Sequence, residues 1–369
     1  MKYYLVAGEA SGDLHGAHLI KALKTCDSEA EFRGWGGDLM RAAGMYLLRH
    51  YRDTAVMGFA EVLAKLPRVL QNISACKADL AAYRPDAVIL IDYPGFNLRL
   101  AAYAQRIKVK TYYYISPQVW AWKANRVHAI KRTVNRLFVI LPFEKAFYER
   151  YGYPVDFVGH PLLDVIENRK SVSSGAFTAR NRLPDKPVIA LLPGSRRQEI
   201  DSILPLLLGV VADFPDYQFV VAAAPGQQPE LYKRFLRPRV AVVAGQTHDL
   251  LSVSQAALVA SGTATLEAAL FGVPEVVCYK TSWFSYAIGK RLVHLKHISL
   301  VNLILERAVV KELVQGELTE KNIKAQLQKI LQRPERARIL RTFAELKDKL
   351  GGSGASIRTA RLIRADLDS

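Results

Sequence analysis

The stretch Tyr3-Tyr4-Leu5-Val6-Ala7-Gly8-Glu9-Ala10-Ser11-Gly12-Asp13 decides the fold class. Its first five residues form an apolar run without polar alternation, the mark of a strand buried on both faces. Glycines then allow a tight turn, and helical spacing runs from Leu14 to Leu23. The same succession recurs at Val188-Ile189-Ala190-Leu191-Leu192-Pro193-Gly194-Ser195-Arg196, with helical spacing from Ile203 to Phe214. Further strands are expected at Ala87–Ile91, Thr111–Ile115 and Leu137–Ile140, then at Gln218–Ala222, Val240–Val243, Leu258–Ser261 and Glu275–Cys278. Strands alternating with helices at this spacing predict an α/β protein built from doubly wound parallel sheets.

A chain of 369 residues suits two domains of about 150–200 residues each. The polar stretch from Asn168 to Asn181 separates two such halves, placing one Rossmann-like domain at 1–167 and a second at 168–339. From Thr319 onward the chain reads as helices rich in Leu, Lys and Arg, interrupted at Gly351-Gly352-Ser353-Gly354. The last of these, about 340–369, are expected to return to the first domain. Ligands of such folds sit at the carboxyl ends of the strands, so the two halves are expected to face a cleft.

Composition narrows the function. Fifty-one Lys and Arg against 34 Asp and Glu give a net charge of +17, which calls for an anionic partner. A dense basic–aromatic run and any known nucleic-acid motif are absent, so nucleic acid is not expected as that partner. No apolar run approaches the ~18–20 residues of a membrane span, and Tyr3–Ala7 is too short for a signal peptide. Three scattered cysteines, Cys26, Cys76 and Cys278, fit a reducing compartment and form no metal-binding pattern.

Four strand-end motifs carry candidate chemistry. Gly8 to Asp13 offers a helix N-terminus to an anion or to sugar hydroxyls, or is a plain turn capped by Ser11 or Asp13. Gly194-Ser195-Arg196 sets a guanidinium beside backbone donors, which suits a diphosphate. In Ser261-Gly262-Thr263-Ala264-Thr265-Leu266-Glu267 the hydroxyls of Ser261, Thr263 and Thr265 can meet phosphate oxygens, and Glu267 can accept from a ribose. Asp92, in Ile91-Asp92-Tyr93-Pro94-Gly95-Phe96-Asn97, can serve as a general base or start an Asx-turn. A fifth segment, Val56–Leu70, would place Val62, Leu63, Leu66, Val69 and Leu70 on one helix face. That face suits either a core helix or one lying in a membrane leaflet.

Taken in order, these pieces resemble the lipid-A-disaccharide synthase family. The resemblance also rests on Ala55-Val56-Met57-Gly58, Ser116-Pro117-Gln118-Val119-Trp120-Ala121-Trp122, Leu141-Pro142-Phe143-Glu144-Lys145-Ala146-Phe147-Tyr148, Gly159-His160, Ser299-Leu300-Val301-Asn302-Leu303 and Val310-Lys311-Glu312-Leu313. It implies a B-type glycosyltransferase fold and an inverting, metal-independent transfer without a cofactor. The donor would be UDP-2,3-diacylglucosamine and the acceptor the 6-hydroxyl of 2,3-diacylglucosamine 1-phosphate (lipid X). The enzyme would work in the cytoplasm against the inner membrane of a Gram-negative bacterium; a homodimer is compatible with it. Gly194, Ser195, Arg196 and the Ser261–Glu267 turn would hold the UDP. Catalysis would rest on Asp92, Glu9 and Ser11, with Asp13 also on the acceptor side. The family often carries Asp where this chain has Gly95, which leaves Asp92 as the nearest carboxylate, with Asp13 and Glu9 as rivals. The fold also admits another UDP-sugar transferase, a UDP-sugar epimerase or a non-catalytic nucleotide-sugar module.

Overall fold

A computed structural model describes residues 1–54, 66–122, 124–169, 171–224, 227, 230–235, 237–281 and 296–369. The chain forms two units, one of Met1–Val165 with Leu350–Ser369 and the other of Ile166–Lys349. Each is built on its own parallel sheet.

Among the described residues, the first unit has seven strands. They are β1 (Lys2–Ala7), β2 (Glu31–Gly36), β3 (Tyr46–His50), β4 (Ala87–Ile91), β5 (Lys110–Tyr114), β6 (Arg136–Val139) and β7 (Asp156–Phe157). Their order is β3-β2-β1-β4-β5-β6-β7. The second unit has β8 (Val188–Leu192), β9 (Gln218–Ala223), β10 (Val240–Ala244), β11 (Ser254–Ala260), β12 (Glu275–Tyr279) and β13 (Lys311–Val314) in the order β10-β9-β8-β11-β12-β13. In each sheet the order reverses beside the first strand, between β1 and β4 and between β8 and β11. Those reversals are the switch points where doubly wound folds bind ligands.

Both faces of the first sheet are buried. On one, Tyr4, Val88, Leu90, Tyr113 and Leu137 pack with Ile73, Leu80, Leu100 and Ile130. The other is covered by the helices Ala10–Cys26 and Ala355–Asp368, which pack on each other. Asp164 fixes the second of these: its carboxylate accepts from the backbone N–H of Gly354 (2.5 Å), Ala355 (3.2 Å) and Ser356 (3.0 Å). Tyr112 on β5 donates to Asp366 at 2.6 Å farther along the same helix.

The return to the first unit starts at Leu350, later than the expected residue 340. Residues 340–349 belong to the continuous helix Arg333–Lys349, whose Ile339, Phe343 and Leu346 are buried within the second unit. The reversal follows at once through Gly351, Gly352 and Gly354, all at positive φ. The stretch expected as the break also contains structure. Ser173 caps the helix Ser174–Arg180, and that helix buries Phe177 in the second core.

The helix Leu66–Tyr83 is a core helix along most of its length. Ile73, Cys76 and Leu80 are buried, and Val69 packs on the same cluster. Leu70, one residue on, lies 52% exposed, so Val69 and Leu70 do not share a face. Val62 and Leu63 lie outside the described residues, and the helix is described from Leu66. No described helix is long and apolar enough to cross a membrane.

Candidate active site

At the first switch point, Ala7 pairs with Ile91, so the turns after β1 and β4 lie side by side. Gly8 is demanded by this approach: a Cβ there would fall 2.3 Å from the Tyr93 ring. Glu9 caps the helix Ala10–Cys26 in an extended conformation without a side-chain bond, and Ser11 is exposed in its first turn. The alternative role for Ser11 and Asp13, capping this helix, is therefore not the one they take.

Asp13 is buried and serves the neighbouring loop. Its carboxylate accepts from the backbone N–H of Gly37 (2.8 Å), Leu39 (3.1 Å) and Met40 (3.0 Å), capping the helix Asp38–Ala42. With both oxygens so engaged, Asp13 has a role in the fold.

Asp92 ends β4 at φ 44°, and Tyr93 follows at φ 49°. Two successive side-chain-bearing residues in the left-handed region cost roughly 1–3 kcal/mol each. The carbonyl of Asp92 is held by Asn97 Nδ2 at 2.8 Å and by the Tyr113 hydroxyl at 2.5 Å. Pro94 then sets φ for the helix Pro94–Arg106. Burial, with the nearby Glu9 charge, pushes the Asp92 carboxyl up to about 7. Gly95 is exposed in the first turn, and a Cβ there would meet nothing within 4 Å.

Three further motifs lie in the same unit. Glu144 is buried and caps its helix, accepting from the N–H of Ile140 (3.1 Å) and Leu141 (2.9 Å). Burial pushes its carboxyl up to about 7 against those two bonds. Ser116 shares a 2.7 Å hydrogen bond with the buried Tyr148 hydroxyl. His160 is held neutral by burial and the neighbouring His15, with its pKa lowered to about 3, and its Nδ1 accepts from Leu162 N–H at 3.2 Å.

At the second switch point, Leu191 pairs with Leu258 and Leu192 with Val259, setting the turns after β8 and β11 together. Gly194 turns at φ 108°, and Arg196 caps the helix Arg197–Gly209 with its side chain 78% exposed. The backbone donors expected to be open are occupied: Glu199 accepts from the N–H of Ser195 (3.1 Å) and Arg196 (3.2 Å). Glu199 is the N3 residue of a capping box, and it also holds Arg196 Nη1 at 3.3 Å. An incoming diphosphate would compete with this carboxylate for the same three donors. The capping box also explains why this helix starts six residues ahead of the expected Ile203.

After β11, Gly262 at φ 146° caps the helix Thr263–Leu270. The hydroxyls divide between fold and surface. Ser261 donates to the Ile298 carbonyl at 3.1 Å, and buried Thr265 donates to the Gly262 carbonyl at 2.8 Å. Thr263 is exposed, Ala264 is half-buried, and Glu267 lies 3.6 Å from His248. So Gly262, Thr263 and Ala264 present the first-turn N–H groups, while the Thr265 hydroxyl serves the turn.

The Ser261 bond joins this turn to motifs that sequence reasoning left without a role. Glu312 accepts from the N–H of Ile298 (3.1 Å) and Ser299 (2.9 Å) and from Asn302 Nδ2 (2.9 Å). Asn302 also donates to Val310 O and accepts from the N–H of Val309 and Val310. Ser299–Asn302 and Val310–Leu313 thus buttress one another.

Comparison with known proteins shows the family of the chain. The family model described as lipid-A-disaccharide synthetase matches residues 3–359. The lipid-A-disaccharide synthase of Syntrophus aciditrophicus is 41% identical over 367 residues, covering 96% of this chain and 95% of that one. That of Geobacter metallireducens is also 41% identical, over 97% of this chain and 95% of its own. Among solved structures, a UDP co-structure of S. aureus MnaA superposes with a TM-score of 0.72 at 15% identity, covering 100% of this chain and 97% of that one, a likeness of fold alone. A family model matching residues 3–359 and relatives 41% identical over nearly their whole length identify the chain as a member of the lipid-A-disaccharide synthase family, and hence as a glycosyltransferase.

Proposed function

We propose that the protein transfers 2,3-diacylglucosamine from UDP to the 6-hydroxyl of 2,3-diacylglucosamine 1-phosphate. The products are UDP and the β-1,6-linked disaccharide 1-phosphate. The acceptor oxygen attacks the anomeric carbon from the face opposite UDP, and the bond to the β-phosphate oxygen breaks with its electron pair. The hydroxyl proton passes to Asp92. The observation that carries this reading is the family match over residues 3–359.

Asp92 suits the part of base because a carboxyl with a pKa near 7 is partly ionised at neutral pH and still basic enough to accept a proton. Glu9 and the exposed Ser11 stand beside it for the acceptor. Negative charge growing on UDP is met by the exposed Arg196 guanidinium, with Gly194 and Ser195 shaping its turn. Ser261, Gly262, Thr263, Ala264 and Thr265 form the second side of that cradle, and Glu267 takes the ribose. Aligned donors of this kind stabilise a leaving diphosphate without a metal ion.

Both substrates carry acyl chains, so the protein works at the cytoplasmic surface of the inner membrane. The charge of +17 and the exposed Leu70 at the start of its helix support that reading.

The test is product analysis in detergent micelles with the two diacylated substrates. UDP and disaccharide should appear in equal amounts, unaffected by a chelator. Arg196→Ala should lower turnover roughly 100-fold while leaving the fold intact. UDP binding without disaccharide would overturn the proposal.

A further inference from the structure

The turn that carries Asp92 is held by two groups to which the sequence reading gave no chemical role: Asn97, from the same motif, and Tyr113, from the neighbouring strand. Asn97 is fully buried, and its Nδ2 faces three carbonyls at the ends of two strands: Val6 (3.4 Å), Ile91 (3.2 Å) and Asp92 (2.8 Å). Tyr113, fully buried on β5, donates to the Asp92 carbonyl from the other side at 2.5 Å. The N–H of Asp92 reaches the Tyr114 carbonyl at 3.3 Å. A strand needs no such clamp to end. Here it opposes the strain of two successive left-handed residues, and it fixes where the Asp92 carboxylate points. Buried amide and hydroxyl groups spent on one strained carbonyl at a switch point are best explained by what that residue must do.

We infer that Tyr113 and Asn97 are positioning residues: they lock the Asp92 backbone in its left-handed turn and so hold the carboxylate on the acceptor hydroxyl. Neither touches substrate. The inference rests on the reading of Asp92 as base. Both groups bond the carbonyl rather than the carboxylate, so they act through geometry. Loss of either lets the turn relax and swings the carboxylate out of line toward water. Displacements of about 1 Å at a reacting group cost roughly 100-fold in rate.

Tyr113→Phe isolates the effect, because it removes one hydroxyl and leaves the packed ring. Steady-state kinetics are measured for Tyr113→Phe, Asp92→Asn and the double variant, with thermal melting of each. Expected for Tyr113→Phe is a fall in kcat of roughly 10- to 100-fold with both KM values nearly unchanged. The acidic limb of the kcat/KM profile should move to lower pH as the carboxyl meets more water. In the Asp92→Asn background the same substitution should have almost no further effect.

A crippled Asp92→Asn beside a near-normal Tyr113→Phe would overturn the positioning role and leave the base reading standing. So would an equal loss from Tyr113→Phe in both backgrounds, or an unmoved acidic limb. Near-normal turnover of folded Asp92→Asn would overturn the base reading, and the inference with it. Asn97→Leu supplies a second variant, since it roughly keeps the volume and removes the donors. It should reproduce the fall in kcat with unchanged KM.

Discussion

The carboxyl of Asp92 ionises near 7 in the folded chain against an ordinary 3.8, and two consequences differ in sign. As a base, Asp92 must be ionised, so kcat/KM should fall as pH drops below about 7, and a pH–rate profile reads this directly. For stability the dependence runs the other way. Below about 4 the folded and unfolded chains both hold the proton. As pH rises from there to 7, the unfolded chain releases it while the folded chain keeps it, so folding becomes less favourable. Asp92→Asn should therefore raise the melting temperature more at pH 8 than at pH 4. The ceiling is about 4 kcal/mol, at about 1.4 kcal/mol per pKa unit. A variant less active and more stable at pH 8 is the expected outcome. Asp92 stood out in the sequence because it ends an apolar strand. Tyr113 and Asn97 gave no such signal, since Tyr113 reads as one more core aromatic and Asn97 as a polar residue in a helix. The capping bonds of Asp13 were hidden for the same reason: a carboxylate after a glycine turn looks alike whether it faces a ligand or a neighbouring loop.

Elements were legible where burial was symmetrical. Strands overlap all nine expected positions, each a run of apolar residues, and all but the edge strand β10 lie in the sheet interior. The four that escaped notice lie at or near sheet edges: β2 mixes Arg33 and two glycines into its run, β3 and β13 are partly exposed, and β7 has two residues. Helix faces were less legible, as the start of Leu66–Tyr83 shows. Val69→Ser should cost roughly 1–2 kcal/mol of stability in a melting experiment, because the side chain packs on the core. Leu70→Ser should leave the melting point alone and weaken sedimentation with anionic vesicles. Unchanged sedimentation would remove Leu70 from the membrane surface. In the second unit, Asn302→Ala deletes both ends of a bonded amide and strands the N–H of Val309 and Val310. At about 1–3 kcal/mol for each buried group left unmade, it should lower stability by roughly 3 kcal/mol or more. Denaturant titration checks this.

For the molecule as a whole, the charge is shared rather than polarised. The first unit has 25 Lys and Arg against 17 Asp and Glu, the second 26 against 17, or +8 and +9 of the total +17. The path of the chain is less even. It leaves the first unit at Val165 and re-enters at Leu350, so the second unit is continuous and the first is not. Truncation after Lys349 should abolish the cooperative melting of the first unit. It removes the helix Ala355–Asp368 and leaves Tyr112 and Asp164 without their partners. The second unit should melt as before, because its strands and helices are complete by Lys349. A single unchanged transition for the truncated protein would contradict this division.

That re-entry also sets a timetable on the ribosome. The amino-terminal unit emerges first, yet one layer of its core is made last, after the whole second unit has been translated. At about 5–20 residues per second the nascent first sheet waits on the order of tens of seconds with part of one apolar face uncovered, beside the helix Ala10–Cys26. Its neighbour, contiguous in sequence, folds ahead of it. The half translated first is thus the half that completes last.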